Sequence, residues 1–347
     1  MLASIALVAL GIGGPPAAAA PAAFVSTAPS LHVSGTQLLD DQNQVVQLNG
    51  VNHSGTEYAC IQGWGIFDGP VDGPSIQVMK TWHVHAVRVP LNEDCWLGIN
   101  MPSPQYGGHT YRQAVTAYVH RLESRGLNVI LDLHWSAPGS TPADHQVQMP
   151  DADHSPAFWR SVAKRFGRDR AILFDLFNEP FGITWDCWLR GCLVDGTWKA
   201  AGMQQLVDAV RNSGAQNVIM LGGLAYSNDL IEWGAHMPID TLGQLVAAWH
   251  VYNFNACTGE TCWNDTVAGV AGKAPLLLGE FGENDCAHGF VDGLMSWADT
   301  QGIGYLAWTW NTWDCSSGPA LISDYSAGTP TAYGQGVHDH FVARFPG

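Results

Sequence analysis

Eight short apolar runs, separated by stretches with helical spacing or turn residues, restrict the architecture of this chain more than any other feature. They cover residues 45–52, 85–90, 128–134, 171–179, 217–222, 245–252, 275–281 and 304–310. Most are nearly continuous runs of Val, Ile and Leu rather than alternating patterns, which suits parallel strands covered on both faces. Apolar residues recur at helical spacing over 111–125, which ends at Gly126 as a C-cap, and over 156–166, 198–213 and 290–300. Eight strands alternating with helices over roughly 300 residues predict an α/β fold, a (β/α)8 TIM barrel, as one domain over residues 31–347. The rival, a doubly wound open sheet, usually carries a G-x-G-x-x-G loop after its first strand, and none follows Val51.

Residues 2–14 are mostly apolar, and Ala17-Ala18-Ala19-Ala20 precede Pro21. This is the pattern of a secretory signal core and its small-residue cleavage site, although no Lys or Arg precedes the apolar run. Residues 1–30 are therefore expected to be a signal peptide with an Ala/Pro leader, and the protein to be secreted. The run is too short to span a bilayer, and no later stretch is long enough. The eight cysteines suit export, because an even count in such a chain suggests disulfides. Cys187/Cys192 and Cys257/Cys262 have a C-x4-C spacing that can pin a loop, leaving Cys60/Cys95 and Cys286/Cys315 as the simplest remaining pairs. Eight cysteines allow roughly a hundred pairings, so the connectivity stays open. A zinc site would want C-x2-C or His-rich spacing, which is absent.

The formal net charge is -16, from 15 basic and 31 acidic residues. With no basic run, nucleic acid and anionic membranes lack their electrostatic attraction. A neutral or cationic ligand fits better, and a monomer is expected.

Barrel active sites collect at the C-terminal ends of the strands. There the sequence places Arg88, His134, Asn178-Glu179-Pro180, His250-Val251-Tyr252, Glu280 and Trp308. Glu179 and Glu280 each end an apolar run, where an unpaired carboxylate is costly. On strands four and seven they would face each other across the barrel mouth. Two such carboxyls can divide glycoside hydrolysis: one protonates the leaving oxygen and the other, ionised, attacks the anomeric carbon, at a separation of about 5 Å. Arg88 is the natural cation for Glu280. A buried Arg–Glu pair that only stabilises the rim is the plainer alternative, and the second Glu argues against it.

The set Arg88 in AVRVPL, His134 in DLHW, Asn178-Glu179-Pro180 in LFNEP, His250 and Tyr252 in HVY, Glu280 in LLGEFG and Trp308 in YLAWTW resembles glycoside hydrolase family 5. The matches keep the family's order and span nearly all of residues 31–347. The resemblance implies a retaining enzyme with Glu179 as acid/base and Glu280 as nucleophile. It also implies Asn178 at the sugar 2-OH, Arg88 and Tyr252 holding Glu280, His134 and His250 lining the subsite before the scissile bond, and Trp308 stacking under that sugar. Trp310 rivals Trp308, because strand alternation would point both the same way.

Within that family a polysaccharide substrate is expected, β-1,4-glucan first (endoglucanase, or cellulase). Mannanase, other β-glucanase, exo-acting and glycolipid-cleaving activities share the catalytic set. A non-catalytic carbohydrate-binding barrel would not need the paired Glu. No cofactor and no catalytic metal is expected, although Asp132/His134 and His83/His85 have metal-like spacing. Asp175 is read as a structural partner, Glu283 as a solvated or substrate-contacting loop residue, and Asn52 and His53 as turn or sugar contacts. Trp64, Trp96, Trp135, Trp185, Trp188, Trp263 and Trp313 fall in predicted loops, where two or three are expected to meet sugar rings. Segments 56–72 and 185–196 look long and Cys-tethered, suited to walling one end of a cleft.

Overall fold

The computed structural model describes residue 1 and residues 26–101, 103–315 and 318–345. The expected leader thus lies almost wholly outside the described residues. In chain order the barrel elements are β1 (Asn49–Asn52), α1 (Gly73–Thr81), β2 (Ala86–Asn92), α2 (His109–Glu123), β3 (Asn128–Trp135), α3 (Ser155–Phe166), β4 (Ile172–Asp175), α4 (Met203–Arg211), β5 (Ile219–Gly222), β6 (Leu245–Tyr252), α5 (Glu260–Ala268), β7 (Leu276–Gly282), α6 (Gly289–Gln301), β8 (Gly304–Ala307) and α7 (Ala332–Arg344). The eight strands pair in parallel in sequence order, and β8 returns to β1 to close the barrel.

The interior is layered by the two-residue strand period. At the N-terminal end Ala86, Ile130, Leu173, Ala248 and Leu306 form an apolar floor. The hairpin His32–Ser34/Gln37–Leu39 closes it from below with Leu38. Gly50 makes room there, since a Cβ would come within 2.5 Å of Leu306 Cδ2 and 2.1 Å of Ala86 O. Two residues further along β2, β3, β4 and β6, the same inward face carries Arg88, Asp132, Asp175 and His250, all buried. The barrel is therefore an apolar plug with a polar layer above it.

The outer layer follows ordinary amphipathic logic. In α2, Tyr111, Val115, Tyr118, Val119 and Leu122 are buried at helical spacing, and in α3 Phe158, Trp159, Val162 and Phe166 are. Asp72 caps α1 by accepting from Ser75 N, with Pro74 in the first turn.

Several boundaries differ from the sequence reading. The first strand is ladder-bonded only from Asn49, because residues before it pair with the floor hairpin (Val46 N to Leu38 O, 2.8 Å). The fourth ends at Asp175, and Leu176 and Asn178 instead donate singly to Met220 O and Leu133 O. The helix expected over 198–213 begins at Met203. Trp198–Lys199 pairs with Leu193–Val194, and Gly202 is pressed against the backbone of Arg190 and Gly191, where a Cβ would lie 2.4 Å away. Between β5 and β6 the outer layer has only short turns. There buried Trp233 packs in place of a helix and donates Nε1 to Leu221 O at 3.0 Å.

The four disulfides are Cys60–Cys95, Cys187–Cys192, Cys257–Cys262 and Cys286–Cys315, the simplest of the pairings considered. No helix among the described residues is long and apolar enough to cross a membrane.

Candidate active site

Arg88 organises the polar layer. Its Nε donates to Asp175 Oδ2 at 3.0 Å, Nη2 to Asn178 Oδ1 at 2.9 Å with Asp132 Oδ2 at 3.0 Å, and Nη1 to Glu280 Oε1 at 2.6 Å and Asn52 Oδ1 at 3.0 Å. Burial works against the guanidinium, but three carboxylates outweigh it and hold the group more firmly charged. Asp132 and Asp175, desolvated by burial and only partly compensated by Arg88, are pushed up to about 7 and about 6. Asp175 is thus the structural partner it was read to be. Asn52 is buried and steadies Arg88 while donating to Gly279 O at 3.0 Å; His53 is buried against Tyr118 OH at 2.6 Å. Neither lines the cleft.

Glu280 is held from two sides, by Arg88 on Oε1 and by Tyr252 OH on Oε2 at 2.6 Å. Burial and the adjacent Glu280 charge raise the Tyr252 phenol well above its ordinary value, so it stays a donor. Both Glu280 oxygens therefore accept a short hydrogen bond, one from a guanidinium and one from a phenol.

Glu179 is held differently. His250 Nδ1 lies 2.9 Å from Oε1, and Gln146 Nε2 donates to Oε2 at 3.1 Å. Burial raises this carboxyl above its ordinary value, opposed by the Gln146 hydrogen bond and the charges around it. His250 is driven down to about 4 by burial, so it is neutral near pH 7. Gly279 lets the imidazole sit there, since a Cβ would approach its Nε2 to 2.8 Å. One oxygen each from Glu179 and Glu280, together with a His250 nitrogen, lie within 4.8 Å of one another.

Glu179 and Glu280 line a cleft of about 550 Å³ with His134, Gln146, Asn178, Tyr226, Tyr252, Phe254, Asn255, Trp308 and Pro319. His134 stacks on Trp308 (5.6 Å, 12°) and bonds Asp132 Oδ2 through Nδ1 at 2.6 Å. Asp132 and His134 thus pair with each other, while His83 and His85 bond separately to Phe345 O and Asn49 Oδ1. Trp310 is buried against Trp82 (5.0 Å, edge-on) and does not reach the cleft. The strand ends at Ala307, so alternation no longer governs where the two tryptophans point.

All eight residues selected from the sequence meet at this mouth: Arg88, His134, Asn178, Glu179, His250, Tyr252, Glu280 and Trp308. Glu283 is different from its reading. It is buried, and its Oε2 accepts from Phe290 N at 3.0 Å and Val291 N at 3.1 Å, capping the start of α6. Trp96, Trp185, Trp188 and Trp263 are packed inside, while Trp64, Trp135 and Trp313 keep exposed surface and gather around Tyr58 at 6.0–6.4 Å. Sequence reasoning missed Gln146, Tyr226 and Phe254. For Gln146 the available signal was loop length: a long connection between β3 and α3 at the C-terminal face is a place for functional side chains. It also missed Glu57, a buried carboxyl after β1 that burial pushes up to about 8.

A closed parallel barrel whose C-terminal mouth holds two differently supported carboxyls beside an aromatic-lined cleft is a barrel of the glycoside hydrolase class. The model of the cellulase family, glycosyl hydrolase family 5, matches residues 39–314, and the chain belongs to that family. It is 25% identical over 314 residues to endoglucanase CelA of Streptomyces lividans, covering 86% of this chain and 60% of that one. It is 24% identical over 317 residues to a mannan endo-1,4-beta-mannosidase of the same organism, covering 86% and 70%. The chain spans between half and two thirds of the length of four of the endoglucanases it matches. Among solved structures, the fold superposes on the catalytic domain of Thermobifida fusca endoglucanase Cel5A with a TM-score of 0.66 at 20% identity, covering 90% and 97% of the two chains. It superposes on the Saccharophagus degradans beta-glucanase SdGluc5_26A solved with cellotetraose with a TM-score of 0.70 at 17% identity, covering 95% and 99%.

Proposed function

We propose that this protein hydrolyses a β-linked polysaccharide with retention of configuration, and that its substrate is a β-1,4-glucan cleaved internally. The observation that carries the mechanism is the separation of Glu179 and Glu280, whose nearest oxygens fall within 4.8 Å. Double displacement works with carboxyls about 5–5.5 Å apart, whereas inversion needs about 6.5–9.5 Å to admit a water. The unequal environments assign the roles. Glu179, raised by burial, holds the proton and gives it to the glycosidic oxygen as the bond to the anomeric carbon breaks. Glu280, fixed by Arg88 and Tyr252, attacks that carbon and forms the glycosyl ester. Glu179, now ionised, then takes a proton from the water that releases the sugar.

Asn178, its oxygen turned to Arg88, has its NH2 available to the sugar 2-OH, and Trp308 backed by His134 offers a face for the ring. The endoglucanase relatives support glucan, and the mannosidase relative keeps mannan as the second reading. We further propose that residues 31–347 act as one catalytic unit, exported after removal of the leader within residues 1–30; the disulfides support this.

The test is a screen on carboxymethylcellulose, mixed-linkage glucan, xyloglucan, mannan and aryl glycosides, with products sized over time. Early appearance of mixed-length oligosaccharides from the β-1,4-glucans, absent with Glu280→Ala, is expected. Release only from mannan, or only of single sugars from chain ends, would contradict the substrate reading.

A further inference from the structure

Below the loop that carries Gln146, β2 hands over to the short helix Glu93–Leu97, whose first residue is fully buried. Glu93 Oε2 accepts from Ser155 Oγ at 2.6 Å, but Oε1, also buried, has no hydrogen-bond partner. Oε1 faces two residues at the start of α3. A Glu93 oxygen, an Asp151 oxygen and a His154 ring nitrogen lie within 4.8 Å of one another. His154 Nδ1 is 3.9 Å from Glu93 Oε1 and 3.8 Å from Asp151 Oδ1.

Those two distances are too long for hydrogen bonds; His154 Nδ1 also lies 3.4 Å from Ala137 O, a long contact that a cation on Nδ1 would displace. Two ligands about 2.0–2.2 Å from a shared ion stand roughly 3–3.6 Å apart, so these groups need to close by only a few tenths of an ångström to hold one. The charge balance points the same way. Asp151 is fully buried, and its Oδ2 lies 3.0 Å from the same Ser155 Oγ that serves Glu93, so the two carboxyl groups share one hydroxyl and also hydrogen-bond each other. Among the described residues no Lys or Arg forms an ion pair with Glu93 or Asp151. Buried carboxyl groups of this kind are stable when paired or bound to a cation. A cavity of about 600 Å³, lined in part by Gly139, Ala152 and Asp153, adjoins the turn that carries Asp151.

We propose that Glu93 Oε1, Asp151 and His154 Nδ1 bind one divalent cation of the Mn²⁺ or Zn²⁺ type. The mixed nitrogen and carboxylate set selects that class over calcium, which prefers an all-oxygen shell. The ion ties the end of β2 to the start of α3 and so fixes the C-terminal end of the 136–154 loop, whose middle presents Gln146 to Glu179. It lies apart from the cleft, takes no part in bond cleavage, and stands independently of the glycosidase reading.

Untagged protein stripped with a chelator is titrated calorimetrically with MnCl2, ZnCl2 or CaCl2 and melted at each concentration. One equivalent of Mn²⁺ or Zn²⁺ should bind, with a Tm that climbs as metal is added. Both effects should vanish in Glu93→Gln and in His154→Gln; the second change is at a partly exposed position that tolerates substitution if the first does not fold. Failure of the unsubstituted protein to bind either ion stoichiometrically would overturn the proposal. So would binding undiminished in His154→Gln, or binding lost in Glu280→Gln but kept in His154→Gln, which would place the ion in the cleft. Tighter binding of Ca²⁺ than of Mn²⁺ and Zn²⁺ would overturn the assignment of His154 as a ligand.

Discussion

Gln146 Nε2 donates both to the side-chain Oε2 of Glu179 at 3.1 Å and to its main-chain O at 3.0 Å. The donor stabilises the ionised form of the carboxyl that burial pushes toward the neutral one. Gln146→Ala removes that opposition and should move the alkaline limb of kcat/KM to higher pH, because the proposed first step needs Glu179 protonated. A pH–rate profile checks this; a limb that stays in place or moves down contradicts the assignment.

Glu179→Ala should separate substrates by leaving group. Aryl glycosides with acidic phenols need little protonation and should lose about tenfold or less in the glycosylation step. Alkyl or sugar leaving groups should lose on the order of 10²–10⁴. Kinetics across a leaving-group series measure the slope, and equal losses throughout would remove Glu179 as the acid.

Trp308 and Trp310 should respond in opposite ways. Trp308→Ala takes away a cleft face and should lower kcat/KM by about tenfold, roughly 1.5 kcal/mol, with little effect on Tm. Trp310→Ala opens a cavity beside Trp82 and should cost about 3–5 kcal/mol of stability. Steady-state kinetics and denaturant unfolding of the two variants distinguish them.

Stability should fall between pH 6.5 and 8. Burial raises Glu57 and Glu123 from 4.5 to about 8 and Asp132 from 3.8 to about 7, so the folded chain keeps protons that the unfolded chain gives up. Each such group removes up to about 1.4 kcal/mol per pH unit as pH rises through this window. His134 and His250, lowered by burial from 6.5 to about 4, act in the opposite sense, but their contribution is complete by pH 6.5. Urea unfolding at intervals across the window checks the slope, and Glu57→Gln should flatten it.

The barrel was legible because buried parallel strands leave continuous apolar runs. Residues 245–252 were read to the residue, and the strands carrying Arg88, His134 and Glu280 to within two. The two carboxyls at the mouth were legible because a carboxyl at the end of such a run has few structural excuses. Loop chemistry was less so. Glu283 sits three residues past Glu280 and looks like a rim acid, but its two backbone donors come from the start of the next helix. Gln146 has no periodic context, and its partner is 33 positions away. No helical spacing was read between residues 222 and 245, and the described residues there form only two short helical turns.

The closest test of the paired carboxyls is proton NMR of the reducing-end sugar in the first minutes of hydrolysis, before mutarotation. An initial product in the β configuration is predicted from a β-linked substrate cleaved by Glu280 attack and Glu179 proton transfer. An initial α product would mean a single displacement by water, and would contradict the roles given to the two residues.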